Sequence, residues 1–166
     1  TADVLMGKRR GGGYVVLDVI NRRMSASDVR ACIQSTAITD QLRFKPLRIR
    51  LNQDPGQAGK DQAEQYLKLL TGHAVSIVRE SGSKLVRAEP FSAQWQGLSG
   101  TSHGNVSLLL GEWNAEYLSQ LEAFPDSKYK DMVDASATAF SELESHAGII
   151  PAKSIGGVGA TSRWRI

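Results

Sequence analysis

In Arg48-Ile49-Arg50-Leu51, charged and apolar side chains alternate with a period of two, the spacing of a half-buried β-strand. Gln53-Asp54-Pro55-Gly56 interrupts it, because proline lacks a backbone donor and glycine adopts dihedrals other residues avoid. Beyond the break Gly59, Ala63, Tyr66, Leu67 and Leu70 recur at helical spacing, so strand, turn and helix are predicted in that order. Upstream, Val4-Leu5-Met6 and Tyr14 to Val19 are apolar runs on either side of Lys8-Arg9-Arg10-Gly11-Gly12-Gly13 and predict an antiparallel hairpin. Ser25-Ala26-Ser27-Asp28 caps a helix through about Asp40, with Val29, Ile33 and Ala37 on one face.

Gly72 closes the second helix, and Ala74 to Val78 predicts a short strand. Ser83 to Ala88 opens a helix with Phe91 and Trp95 on its buried side; Gly97 to Gly104 reads as a flexible loop. Asn105 to Leu110 predicts a strand and Glu112 to Ala123 a helix, before the break at Phe124-Pro125-Asp126. Lys130 to Ser145 predicts a last helix, with Val133, Ala137, Phe140 and Glu144 as one stripe. From Gly148 onward Gly, Ser, Ala and Pro dominate and the end is basic, so residues 1–147 are expected as the domain and 148–166 as a loosely attached tail. A hairpin followed by alternating strands and helices gives an α/β fold, a mixed β-sheet flanked by helices.

Composition changes this picture little. The 166 residues are 41% hydrophobic and 22% charged, ordinary for a globular domain. A net charge of +3 is compatible with a nucleic-acid partner without requiring one. The single cysteine, Cys32, excludes an internal disulfide and any multi-cysteine metal site, and suits a reducing compartment. No apolar run reaches the roughly 20 residues that span a bilayer, and the start does not read as a signal peptide, so a cytosolic protein is expected.

The candidate chemistry is acidic. Asp54 falls just past the carboxyl end of a strand, the edge where open α/β sheets bind ligands. Asp131 and Asp134 are three apart in a first helical turn, so their carboxylates share a face. Taken alone, such a pair reads as helix capping, since the dipole favours negative charge there. Beside Asp54, it could converge on hard divalent cations, which prefer oxygen ligands. Lys60 at a helix start could hold a phosphate, Lys84 and Arg87, one turn apart, could follow a DNA backbone, and Lys8, Arg9 and Arg10 form a basic hairpin tip. Each also has a plain reading as solvated surface charge. Gly56-Gln57-Ala58-Gly59-Lys60 lacks the spacing and the Ser or Thr of a phosphate-binding P-loop. His103 sits in the glycine-rich loop; no histidine spacing supports zinc; Trp95 and Trp113 read as core packing.

Taken in order, Gln53-Asp54-Pro55-Gly56-Gln57-Ala58-Gly59-Lys60, Lys84-x-x-Arg87-Ala88, Trp113, Phe124-Pro125 and Asp131-x-x-Asp134-Ala135 resemble the C-terminal nuclease domain of the large terminase subunit of tailed bacteriophages, from about Tyr14 to Leu143. The resemblance implies an RNase H-like fold and a Mg²⁺- or Mn²⁺-dependent endonuclease that cuts concatemeric double-stranded DNA through a two-metal site. Asp54, Asp131 and Asp134 would be its catalytic, metal-binding acids. It further implies an ATPase domain in the same subunit, portal protein and small terminase subunit as partners, and the host bacterial cytoplasm as the place of action. In two places the sequence departs from the family pattern. The family's first catalytic aspartate, in a D-x-A-like motif, belongs to a strand ending upstream of Thr1, so the first strand is expected to be truncated here. Asn52 stands where many relatives have glutamate. Two other readings stay open: a non-catalytic DNA-binding or assembly module of the same shape, and another RNase H-like nuclease such as a junction resolvase.

Overall fold

The structure, a computed structural model, describes residues 1–79, 81–97, 104–145 and 158–165, the last stretch as backbone. β1 (Ala2–Arg9) and β2 (Tyr14–Asn21) form the expected hairpin, with Val4 opposite Val19 and Lys8 opposite Tyr14. α1 (Ala26–Arg43) starts where Ser25 accepts the backbone N–H of Asp28 at 3.3 Å, a cap worth about 1 kcal/mol. β3 (Leu47–Gln53) keeps the alternation of its sequence: Ile49 and Leu51 are buried beneath α1 and α2, while Arg50 reaches across the opposite face.

α2 (Gln57–Leu69) follows a turn that depends on two glycines. Gly56 has φ 96°, a region that other residues avoid, and Gly59 packs so closely on the Asp54 carbonyl that a Cβ would overlap it. The buried stripe read from helical spacing is narrower than expected, because α2 meets the sheet through Gly59, Tyr66 and Leu70, and Leu67 turns outward, 47% exposed.

β4 (Ala74–Arg79) runs parallel to β3, with Arg79 in register with Gln53. α3 (Lys84–Gln96) begins at Ser83, which accepts the N–H of Val86. β5 (Val106–Leu108) adds to β2 in parallel, and α4 (Asn114–Glu122) and α5 (Asp131–Ser145) complete the helices. Among the described residues the sheet order is β4-β3-β6-β1-β2-β5, a mixed sheet with helices on both faces, as expected for an RNase H-like fold.

β6 (Val158–Arg165) lies in the middle of that sheet, parallel to β3 and antiparallel to β1. It joins the β4-β3 pair to the β1-β2-β5 ribbon. Residues 158–165 therefore differ from the tail read from their composition. A central strand takes its hydrogen bonds from two neighbours, so its place is not written in its own composition. Residues 146–157 and 166 lie outside the described residues.

α5 also differs from its predicted single stripe. Every residue from Met132 to Phe140 is buried, as are Glu142 and Leu143. Ala135, Ser136, Ala137 and Ala139 are small enough for the β1 side of the sheet, α3 and α4 to close on several sides at once. The main core gathers Val4, Met6, Val16, Phe91, Tyr117 and Phe140 under this helix, with Trp95 and Trp113 packed against it. Buried Tyr117 exchanges a 2.7 Å hydrogen bond with Ser136, so its phenol does not lie unpaired in the core.

Candidate functional site

The register of the sheet decides which candidate residues meet. Leu51, near the end of β3, lies opposite Arg165 of β6, and Arg165 lies opposite Asp3 at the start of β1. The end of β3, the end of β4 and the beginning of β1 thus share one edge. Asp54 follows β3 there, exposed. The first turn of α3 rises from the same edge after β4, carrying Lys84 and Arg87. The first turn of α5 arrives there too, since Asp131 lines a small cleft with Thr1, Asn21 and Arg22, the start of β1 and the end of β2. Gln120 of α4 helps seat that turn by accepting the N–H of Met132 at 2.7 Å.

Asp134 is the most constrained of the acids. It is 1% exposed, and Arg87 grips it with Nε to Oδ1 at 3.0 Å, Nη2 to Oδ1 at 2.7 Å and Nη2 to Oδ2 at 2.7 Å. Lys84 Nζ stands 3.5 Å from Oδ2 of Asp134 and 3.5 Å from Oδ1 of Asp131, which is half-exposed. The two cations expected to follow DNA are therefore turned toward the two acids expected to hold metal. Lys60, in the first turn of α2, is exposed on the same edge as Asp54.

Lys8, Arg9 and Arg10 lie at the far end of β1, separated from the acidic edge by the strand's eight residues, about 26 Å. Lys8 there pairs with Glu144 at 2.7 Å, and Arg9 donates to the Asn105 carbonyl. Tyr14 also donates to Glu144 at 2.7 Å. Partial burial pushes the Glu144 carboxyl up, but the bonds from Lys8 and Tyr14 and the charge of Lys8 outweigh it, holding the group below the usual carboxylate range. Burial, then the bond to Glu144, pushes the Tyr14 phenol up.

Between these two ends lies a network the sequence reading did not anticipate. Glu142, 3% exposed, accepts from Arg50 at 3.4 Å and from Ser76 at 3.2 Å, tying α5 to β3 and β4. The one signal for it was Arg50 itself, a charge on the second face of a strand whose first face is apolar. Beside it a cleft of about 720 Å³ opens between α3, α5 and the ends of β3 and β4, bordered by Arg50, Asn52, Arg79 and Arg87. His103 lies outside the described residues.

The donor chemistry of Asp131 and Asp134 suits a hard divalent cation, both offering carboxylate oxygens from one helix face. Among the described residues, however, no group of three or more His, Cys, Asp or Glu could hold a metal ion, so Asp54 does not join the pair in such a group. The fit is that of two ligands on a shared edge rather than a closed cage.

A mixed sheet with helices on both faces is consistent with an RNase H-like domain. Over residues 1–143 the chain matches the family described as the terminase RNaseH-like domain, and it belongs to that family. No match was found among curated proteins or among solved structures. The chain is thus a nuclease-type module of a terminase. No helix among the described residues is long and apolar enough to cross a membrane.

Proposed function

We propose that this domain is the endonuclease of a viral DNA-packaging terminase, cutting concatemeric double-stranded DNA with the help of Mg²⁺ or Mn²⁺ at the edge that carries Asp54, Asp131 and Asp134. The observation that supports this reading most is the convergence, within a terminase RNaseH-like domain, of the end of β3 and the first turn of α5 on one edge of the sheet. Bound divalent ions would activate water and neutralise charge on the phosphodiester. The chain's own residues supply the rest. Asp131 and Asp134 are ligand candidates, the Gly56–Gly59 turn fixes Asp54 at the strand end, and Lys60 offers a cation to a neighbouring phosphate. Lys8, Arg9 and Arg10 would meet the duplex about 26 Å away, along the strand direction. Contacts of this kind read the backbone rather than the bases, so binding falls steeply with salt. An ATPase domain of the same subunit, the portal protein and the small subunit are the proposed partners, and the host bacterial cytoplasm the proposed place of action.

The second reading, a non-catalytic DNA-binding or assembly module, is favoured by the Arg87 grip on Asp134 and by Asn52. Supercoiled-plasmid cleavage separates the two. With Mn²⁺ the chain, extended upstream to carry the family's first aspartate strand, is expected to nick or linearise plasmid, EDTA to stop it, and Asp54→Asn, at an exposed position, to lower the rate at least tenfold with an unchanged melting temperature. Metal-independent cutting, or no cutting alongside a salt-sensitive gel shift, would overturn the nuclease reading in favour of the module.

A further inference from the structure

The outer ends of α1 and α2 carry side chains that neither the core nor the acidic edge uses. Both helices pack on the face of β3 that holds Ile49 and Leu51, and they touch each other. Both end where β3 and β4 begin, since Arg48 is in register with Ala74. Their last turns therefore lie side by side, separated from Asp54 by the seven residues of β3, about 23 Å. Leu42, in the last turn of α1, is 81% exposed; Ile38, one turn earlier, and Leu67, in the last turn of α2, are about half-exposed. Single aliphatic side chains are ordinary on a surface, whereas a group of them in one corner marks a contact site. The corner is also cationic. Arg43 and Lys68 lie in the same two last turns and Lys45 follows α1, all three exposed. None of them has an ion pair with a described residue. The acids nearest in the chain leave this charge standing, because Asp40 is buried and Glu64, one turn before Lys68, makes no ion pair with it. Helix dipoles favour a cation in each last turn. That explains Arg43 and Lys68, but neither Lys45 nor the exposed leucines.

We propose that this corner is a protein-docking surface, and that its partner is an acidic amphipathic segment presenting aliphatic side chains between carboxylates. An apolar centre inside a charged rim is the anatomy of a protein interface. Ile38, Leu42 and Leu67 supply the centre, and the unneutralised rim of Arg43, Lys45 and Lys68 selects carboxylates and steers their approach. The Arg43 guanidinium lies 5.0 Å from the centre of the Phe44 ring, which favours its staying at this surface instead of folding away. Nucleic acid would satisfy the cations, but its backbone of phosphates and sugars offers nothing to the leucines. A second copy of the same corner would meet it with like charge. A partner seated here leaves the acidic edge open, so the inference stands apart from the cleavage reading.

The test is fluorescence anisotropy of a labelled peptide of about three heptads, with leucine at a and d and glutamate at e and g. Two control peptides carry serine in place of the leucines or glutamine in place of the glutamates. The acidic peptide is expected to bind the unaltered chain, and each control at least about tenfold more weakly. The same loss is expected for the acidic peptide with Leu42→Ser and with Arg43→Glu/Lys45→Glu. Lys128→Glu, a charge reversal just before α5 at the opposite edge, is expected to change nothing. These side chains are exposed, so melting temperatures are expected to stay the same; Leu67→Ser stands in should Leu42→Ser unfold. Equal binding of the serine control, or no binding of the acidic peptide, would overturn the proposal. A duplex of roughly 20 base pairs, bound in EDTA and weakened by Arg43→Glu/Lys45→Glu but not by Leu42→Ser, would reassign the corner to nucleic acid. Self-association in sedimentation, lost in Leu42→Ser, would reassign it to a second copy. Plasmid cleavage, which tests the nuclease reading, is measured separately and decides neither result.

Discussion

At the first turn of α5, Asp134 is 1% exposed and both its oxygens are held by the fork of Arg87; at the last turn Glu144 is 42% exposed and meets Lys8 and Tyr14 at one oxygen, Oε1. Each is an acid–base pair between α5 and a distant element. The surroundings separate them. Around Asp134 the small residues of α5 let α3 close over the helix, so the pair works without water screening. Around Glu144 solvent reaches both partners, and most of the Coulomb energy is lost to the high dielectric. Charge pairing at the buried end therefore governs how α3 and α5 are joined, and at the exposed end it trims the surface.

The strongest challenge to this contrast is Asp134→Ala. Leaving Arg87 largely buried without its acid is expected to cost about 3–5 kcal/mol, read from urea unfolding. A loss under about 1 kcal/mol would make the two ends equivalent. Next comes Glu142→Gln, midway along the buried face. It keeps the shape but weakens acceptance from Arg50 and Ser76, and an intermediate loss of about 1–3 kcal/mol is expected in the same assay.

Lys8→Gln sits at the small end of the scale, within about 0.5 kcal/mol and vanishing in high salt. The smallest effect is a pH dependence. The folded Glu144 carboxyl is held below its unfolded value, so its contribution is present above the unfolded pKa of about 4.3 and disappears as pH falls through the lower folded value. Glu144→Gln should flatten the acid limb of the stability–pH curve in that window and leave the neutral plateau nearly unchanged. A parallel acid limb in the variant would mean that Glu144 is not perturbed.

These pairs also mark how far the sequence could be read. The elements were legible because their signals are local: alternation in β3, serine caps at Ser25 and Ser83, the glycine turn before α2, the hairpin of β1 and β2. Asp54 and the Asp131–Asp134 pair were legible as candidates because strand ends and first helical turns are positions that periodicity predicts. What faces them was not. Lys84 and Arg87 read as cations that could follow a DNA backbone or stay solvated on a helix, and Asp134, which holds Arg87, lies 47 residues further on, with no spacing rule to connect the two. The separation of Lys8, Arg9 and Arg10 from the acidic edge likewise follows from the direction of β1 in the sheet, which the hairpin pattern alone does not orient.

The amino-acid sequence by itself determined the order and kind of most elements, the mixed α/β class and the terminase resemblance, because propensity, capping and turn chemistry act within a few residues. The tertiary structure alone decided three things. β6 enters between β3 and β1, since a central strand is chosen by the two edges it satisfies. α5 is buried nearly all round, because small side chains permit close approach without announcing it as a stripe. Asp134 is joined to Arg87, because only packing removes the water that would otherwise keep the two charges apart.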